Sequence, residues 1–298
     1  MPAPTAPFKQ ICIIGYGLMG SSLARIILRD GLTENLICAD RDQAVCDRVA
    51  DLGIAHATTT HLREGVKNSD LVILAVPVGA CGTIMAEIGP FLMDGAVVTD
   101  VGSVKQAVID AVKPYMPAHA NFVPAHPIAG TEHSGPDSGF PELFEGRWCI
   151  ITPLPETPVR AVEKVTMLWD AAGAMIEIME PKHHDLVLAI TSHLPHLIAY
   201  TIVGTATDLE SHTKAEVIKF SASGFRDFTR IAASDPVMWR DIFLNNKKAV
   251  LDILQRFNED LTALQKAIRT GDGDLLQETF TRTRKIRREI IQTDKKRT

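Results

Sequence analysis

Short, continuously apolar runs alternate with amphipathic segments through the first half of the chain. Residues 9–14 form a run with β-branched positions, and 36–39, 71–76 and 96–99 repeat the pattern, Pro77 closing the third. Helical spacing fills the gaps at 21–28, 42–52 and about 103–112. Short apolar strands alternating with amphipathic helices predict a parallel sheet covered on both faces. Beyond about residue 150 the pattern changes. Strand-like runs at 148–152 and 175–178 flank a helix near 161–171, and from Pro181 no strand pattern remains. Long helical patterns then cover 185–209, 214–220, 236–267 and 274–291. The prediction is an α/β domain over 1–180 and an all-α domain over 181–298, with no internal repeat.

Composition narrows the class. The chain has 298 residues, 46% hydrophobic and 22% charged, with a formal net charge of −5. That suits a globular chain of two domains and excludes a disordered or collagen-like one. A mildly acidic chain is not built to coat nucleic acid. No uninterrupted apolar run approaches the length of a membrane helix, and the Pro/Ala-rich first seven residues read as a loose tail, not a signal peptide. Five cysteines, an odd count without a C-x-x-C pair, read as reduced core thiols of a cytoplasmic protein. The last 18 residues carry eight Lys/Arg and two acids, which reads as a solvated helix end.

Gly15-Tyr16-Gly17-Leu18-Met19-Gly20 is a G-x-G-x-x-G loop between a predicted strand and a predicted helix. In that setting the first glycine permits a tight turn, the second lets a pyrophosphate approach the backbone, and the third lets helix and strand pack closely. The free N–H groups opening the helix favour phosphate. Asp40 ends the next strand, 20 residues on, where an acid takes the ribose hydroxyls of NAD. A carboxylate there disfavours NADP, although Arg41 follows directly. The α/β part is therefore a Rossmann-type dinucleotide-binding domain. Val76 and Pro77 end a strand on the ligand-facing edge, and their expected role is shape against the dinucleotide.

Three further segments carry chemistry. Asp100-Val-Gly-Ser103-Val-Lys105 is another strand-to-helix turn, where Ser103 either caps the helix or bonds a substrate hydroxyl. The Gly/Pro-rich stretch 124–135 reads as a loop; on it, His126 beside a nicotinamide is a natural acceptor for a hydroxyl proton, or else a histidine satisfied by backbone. His193 and His196, at i and i+3, interrupt an apolar helical pattern and share a face. No acid or cysteine stands at ligand spacing beside them, so pocket-lining groups are expected and no metal. Arg226, after Ser-Gly, is the best carboxylate-binding fork, whereas Arg230 and Arg240 are expected to pair with Asp227, Asp235 or Asp241.

These segments together resemble the prephenate/arogenate dehydrogenase family: GYGLMGSS at 15–22, DVGSVK at 100–105, HPIAGTEHSG at 126–135, TSHLPH at 191–196 and GFRDFTRIAASDPVMWRDI at 224–242. The resemblance implies NAD-dependent oxidative decarboxylation of a cyclohexadiene, with hydride leaving C4 for the nicotinamide and the ring becoming aromatic as CO2 departs. It assigns His126 as the base toward the C4 hydroxyl, Ser103 as its partner, Arg226 to a substrate carboxylate, His193 and His196 to the pocket lining and Glu132 to its mouth. It makes the helical domain the dimerisation domain of a homodimer. Some relatives carry an extra mutase or regulatory domain, and this chain has no evident room for either. The competing expectations are a β-hydroxyacid dehydrogenase or imine reductase, and a non-catalytic dinucleotide sensor.

Overall fold

The structure, a computed structural model, describes residues 6–131, 133–207 and 223–295. Residues up to Ala249 make one compact unit and those from Val250 another. In the first, β1 (Phe8–Ile14), β2 (Thr33–Ala39), β3 (Ala57–Thr59), β4 (Leu71–Leu74), β5 (Val97–Asp100) and β6 (Asn121–Val123) form a sheet in the order β3-β2-β1-β4-β5-β6. Every pairing is parallel. Successive side chains on a strand face opposite ways. Ile11 and Ile13 of β1, with Leu71 and Ile73 of β4, therefore enter one core, while Cys12, Ile14, Val72 and Leu74 enter the other. Burial on both faces is why the central positions of these strands are apolar, each such side chain contributing about 1.5–3 kcal/mol.

Helices α1 (Leu18–Arg29), α2 (Gln43–Asp51), α3 (Leu62–Val66), α4 (Cys81–Ile88) and α5 (Gln106–Val112) connect these strands. A second sheet follows, in which β7 (Ala125–Pro127) pairs antiparallel with β8 (Trp148–Ile151) and β8 pairs parallel with β9 (Met175–Ile178). Helix α6 (Val159–Ala171) lies between β8 and β9 in sequence. His126 therefore sits on a strand, not on the expected loop: Ala125, His126 and Pro127 pair with Ile151, Ile150 and Cys149. Three residues are too few to show strand alternation among the surrounding Gly and Pro.

The all-helical expectation holds for the described residues after Pro181. Helix α7 (Pro181–Leu188), a π-helical turn (Ala189–His193) and α8 (Leu194–Thr207) run on as one helix. That helix is long and apolar enough to cross a bilayer by length and composition alone. Its scattered His, Ser and Thr positions break up any uninterrupted apolar run. The π turn has a local cause. Pro195 has no N–H to give the Thr191 carbonyl, and the Leu194 N–H reaches back five residues to Ala189 O.

Helices α9 (Ser223–Thr229) and α10 (Pro236–Asn245) complete the first unit, with Trp239 and Ile242 buried in its second core. The helix expected at 214–220 lies outside the described residues. Helix α11 (Lys247–Thr270) begins after a break at Asn246 that helical periodicity did not reveal, and α12 (Gly273–Lys295) follows. Within the second unit the turn uses Gly271 at φ +70°. All five cysteines are buried, free thiols, and burial raises the thiols of Cys12, Cys38, Cys81 and Cys149 far above the ordinary value.

Candidate active site

The sheet order reverses between β1 and β4, so the crevice at the carboxyl ends of those strands is the ligand-binding position of this architecture. The expected cofactor residues sit there. Gly15 follows β1 with φ +91°, and a Cβ on it would lie 2.6 Å from Ala75 O. A Cβ on Gly20 would lie 2.1 Å from Gly15 O, so only glycine lets α1 close on the strand. At Gly17 a Cβ would meet no protein atom within 4 Å. Packing does not demand glycine there, and the open space suits a pyrophosphate. Gly17 is also the N-cap of α1 and supplies no side chain, which leaves the N–H groups opening at Leu18 and Met19 uncapped.

Asp40 follows β2 and accepts from the N–H of Tyr16 at 3.2 Å and of Asp42 at 3.0 Å. It thereby ties the glycine loop to the end of the neighbouring strand. Arg41 is exposed, Val76 is half-buried and Pro77 is exposed at the end of β4. Tyr16 differs from expectation, since its ring is 1% exposed in the core and its hydroxyl finds no partner. Only its backbone belongs to the loop.

A buried polar cluster lies beyond β5. Asp100 and Lys105 form an ion pair in which both side chains are fully buried. Lys105 Nζ also donates to Ala125 O at 2.7 Å, and Asp100 Oδ1 accepts from Ala125 N at 3.2 Å. The pair thus fixes β7 next to His126. A charge this deep persists only when paired and hydrogen-bonded. Ser103, half-buried, makes no cap for α5. The N–H groups of Lys105 and Gln106 are taken instead by Asp185 of α7, at 2.8 and 3.0 Å. That removes the capping alternative for Ser103.

Asp185 Oδ1 also lies 2.8 Å from His184 Nδ1, and His184 Nε2 lies 2.8 Å from His126 Nδ1. Burial, with His184, Lys105 and His193 adding, holds His126 well below the ordinary histidine value. It is therefore neutral at pH 7. Among the described residues nothing bonds its Nε2.

Asn246 explains the break after α10. Its Nδ2 donates to Asp185 O at 2.8 Å and lies 3.1 Å from His193 Nδ1. The carbonyl contact identifies Nδ2 as the donor, so His193 Nδ1 accepts and its Nε2 carries the hydrogen. That Nε2 is buried without a partner among the described residues. Burial lowers His193 to about 4, so it too is neutral at pH 7. His196 stacks on Trp239 at 3.6 Å between ring centroids and places Nδ1 2.9 Å from Ser192 O. The Nε1 of Trp239 is a second buried orphan in the same cluster.

Not every expected residue joins this cluster. Arg226 is exposed on α9, and no hydrogen bond or ion pair among the described residues ties it to the histidines. Arg240 pairs with Asp241 at 2.7 Å, as expected. Glu132 lies outside the described residues. Sequence reasoning assigned no role to His184, Asp185, Asn246 or Trp239. The one available signal was a His-His-Asp run opening a helix.

A doubly wound sheet with this glycine loop and a strand-borne neutral histidine defines a dinucleotide-dependent dehydrogenase with a helical partner domain. The family model for the prephenate dehydrogenase nucleotide-binding domain matches residues 23–178, and that for its dimerization domain matches 180–282. A cyclohexadienyl dehydrogenase from Zymomonas mobilis is 42% identical over 94% of this chain and 95% of its own. The crystal structure of prephenate dehydrogenase from Aquifex aeolicus, in complex with hydroxyphenyl propionate and NAD+, superposes with a TM-score of 0.86. It is 34% identical, over 95% of this chain and 98% of that one. Synechocystis arogenate dehydrogenase gives 0.81 at 25% identity, over 94% and 99%. The chain belongs to the prephenate dehydrogenase family and is an oxidoreductase.

Proposed function

We propose that the chain catalyses NAD-dependent oxidative decarboxylation of prephenate and arogenate in tyrosine biosynthesis. The observation that carries this is a buried, neutral His126, its Nε2 unbonded among the described residues, on a strand that Asp100 and Lys105 tie to the carboxyl end of β5. Gly15, Gly17 and Gly20, with the N–H groups opening α1 and the carboxylate of Asp40, are the residues that hold NAD. The bound nicotinamide supplies the acceptor for the C4 hydride. His126 takes the proton of the C4 hydroxyl as that carbon is oxidised, and Ser103 shares the hydroxyl. The ring oxygen regains a proton when CO2 leaves and the ring becomes aromatic. His193, through Nε2–H, donates to a substrate oxygen, and His196 lines the pocket. Arg226 and Glu132 meet the substrate carboxylate and the pocket mouth. Both substrates share the reacting ring, so the same chemistry serves prephenate, arogenate or both.

Residues 1–180 serve the dinucleotide and 181–298 the substrate and a homodimer, in the cytoplasm. Buried free thiols and the large apolar side chains exposed on the helices support these parts of the reading. The test is NADH formation at 340 nm with NAD and each substrate. Turnover with either is expected, and silence with both, also with NADP, overturns the reading. His126→Asn should keep NAD binding and lose about 10²-fold or more in kcat, the ordinary worth of a positioned base.

A further inference from the structure

We propose that His184, held by Asp185, is the positioning residue that fixes His126 in the tautomer with its Nε2 lone pair free. The proposal rests on the assignment of His126 as base but adds a residue that never touches substrate. Asp185 is fully engaged as an acceptor. Its oxygens receive the backbone N–H groups of Lys105 and Gln106, so α5 clamps the carboxylate in place. The ring nitrogen facing it, His184 Nδ1 at 2.8 Å, must therefore carry hydrogen. A neutral His184 then has its lone pair on Nε2, which faces His126 Nδ1 at 2.8 Å. Only one hydrogen fits between those nitrogens, and it belongs to His126. The remaining nitrogen of His126, Nε2, is left as the acceptor.

Burial reinforces the assignment. His184 is 0% exposed and Asp185 5% exposed, so no water competes for these bonds. Burial also holds His184 below the ordinary histidine value, keeping it neutral. The rings of His126 and His184 meet edge-on at 68°, with centroids 5.1 Å apart, as a ring-to-ring hydrogen bond requires. The carboxylate–imidazole logic of the serine hydrolases is extended here by one further imidazole. Without His184 either His126 nitrogen can carry the hydrogen, and a fraction of molecules presents N–H, not a lone pair, to the hydroxyl.

Two variants of the full-length enzyme separate positioning from mere packing. His184→Gln keeps an acceptor toward His126 Nδ1, and His184→Leu removes it at similar volume. Leucine is expected to lower kcat at least tenfold, with NADH affinity by fluorescence titration changed less than twofold. Glutamine should recover at least a third of wild-type kcat. Independently of any substrate, 15N spectra of histidine-labelled protein should show His126 hydrogenated at Nδ1 in wild type and the Gln variant. In the Leu variant the signal should move toward the Nε2–H form. Equal kcat in all three proteins, or a His126 tautomer that is Nε2–H in wild type or unchanged in the Leu variant, overturns the proposal. If wild type turns over neither prephenate nor arogenate, the functional reading fails, while the tautomer measurement still decides the role of His184.

Discussion

His126 owes its properties to what surrounds it more than to its own type. His184, Lys105 and His193 face it, and burial together with these neighbours keeps it uncharged. In the proposed reaction the neutral form is the active one, and its pKa is lowered, so kcat/KM should stay level as pH falls through about 6.5 and decline only at more acid pH. A decline centred at or above 6.5 would contradict this environment. The same histidines make the fold acid-sensitive. His193 titrates near 4 in the folded chain against an ordinary 6.5, so its contribution is complete above 6.5 and lost as pH drops toward 4. That amounts to roughly 3 kcal/mol, readable as a falling melting temperature across that window. Ser103 was legible because it follows an apolar strand, and His126 because it stands in a Gly/Pro-rich stretch just after the apolar pair Phe122-Val123. His184, Asp185 and Asn246 were not. Apart from the adjacent His184 and Asp185, their partners lie 53 to 80 residues away, and no spacing encodes that.

At the scale of elements, the glycine loop separates folding from binding. Gly17→Ala adds a Cβ where no protein atom lies, at backbone angles alanine adopts freely. It should leave stability within about 0.5 kcal/mol, as at other sites free of packing, yet weaken NAD binding at least tenfold. Gly20→Ala would drive a Cβ into the Gly15 carbonyl and should cost about 1–3 kcal/mol as overpacking. Calorimetric titration with NAD and urea denaturation check the two, and equal effects in both assays would refute the division. The long strands could be read from sequence because burial on both faces makes their central residues a continuous apolar run. The short strands β3, β6 and β7 could not, being three residues each. The break at Asn246 was also hidden, since the apolar stripe continues across it and only the Asn246 side-chain bonds mark the site.

For the whole molecule, the large side chains left in solvent point to association. Leu244, Leu251, Leu261, Ile268, Phe280 and Ile286 are each more than half exposed, although exposed apolar area of this kind is normally covered by a partner. Sedimentation should give a particle of twice 32.6 kDa. A monomer at micromolar concentration would be the contrary result, leaving those side chains without a purpose. The division into a sheet part and a helical part was legible because strand and helix periodicities differ. The expectation of a homodimer came from the family resemblance and not from the residue pattern, because a leucine facing a partner and one facing the core look alike in sequence. The π turn has one more consequence, in angular phase. Nine residues of regular α-helix separate His184 from His193, which would set them about 180° apart around the axis. One residue absorbed by the wider turn brings them to about 80°, so both can converge on one side, where Asn246 bonds His193 and the Asp185 carbonyl. Removing one residue from 189–193 would turn the bulge into regular α-helix and leave the two histidines at about the same 80°, since eight residues of α-helix span that angle; the bulge hides one inserted residue without turning the faces of the helix.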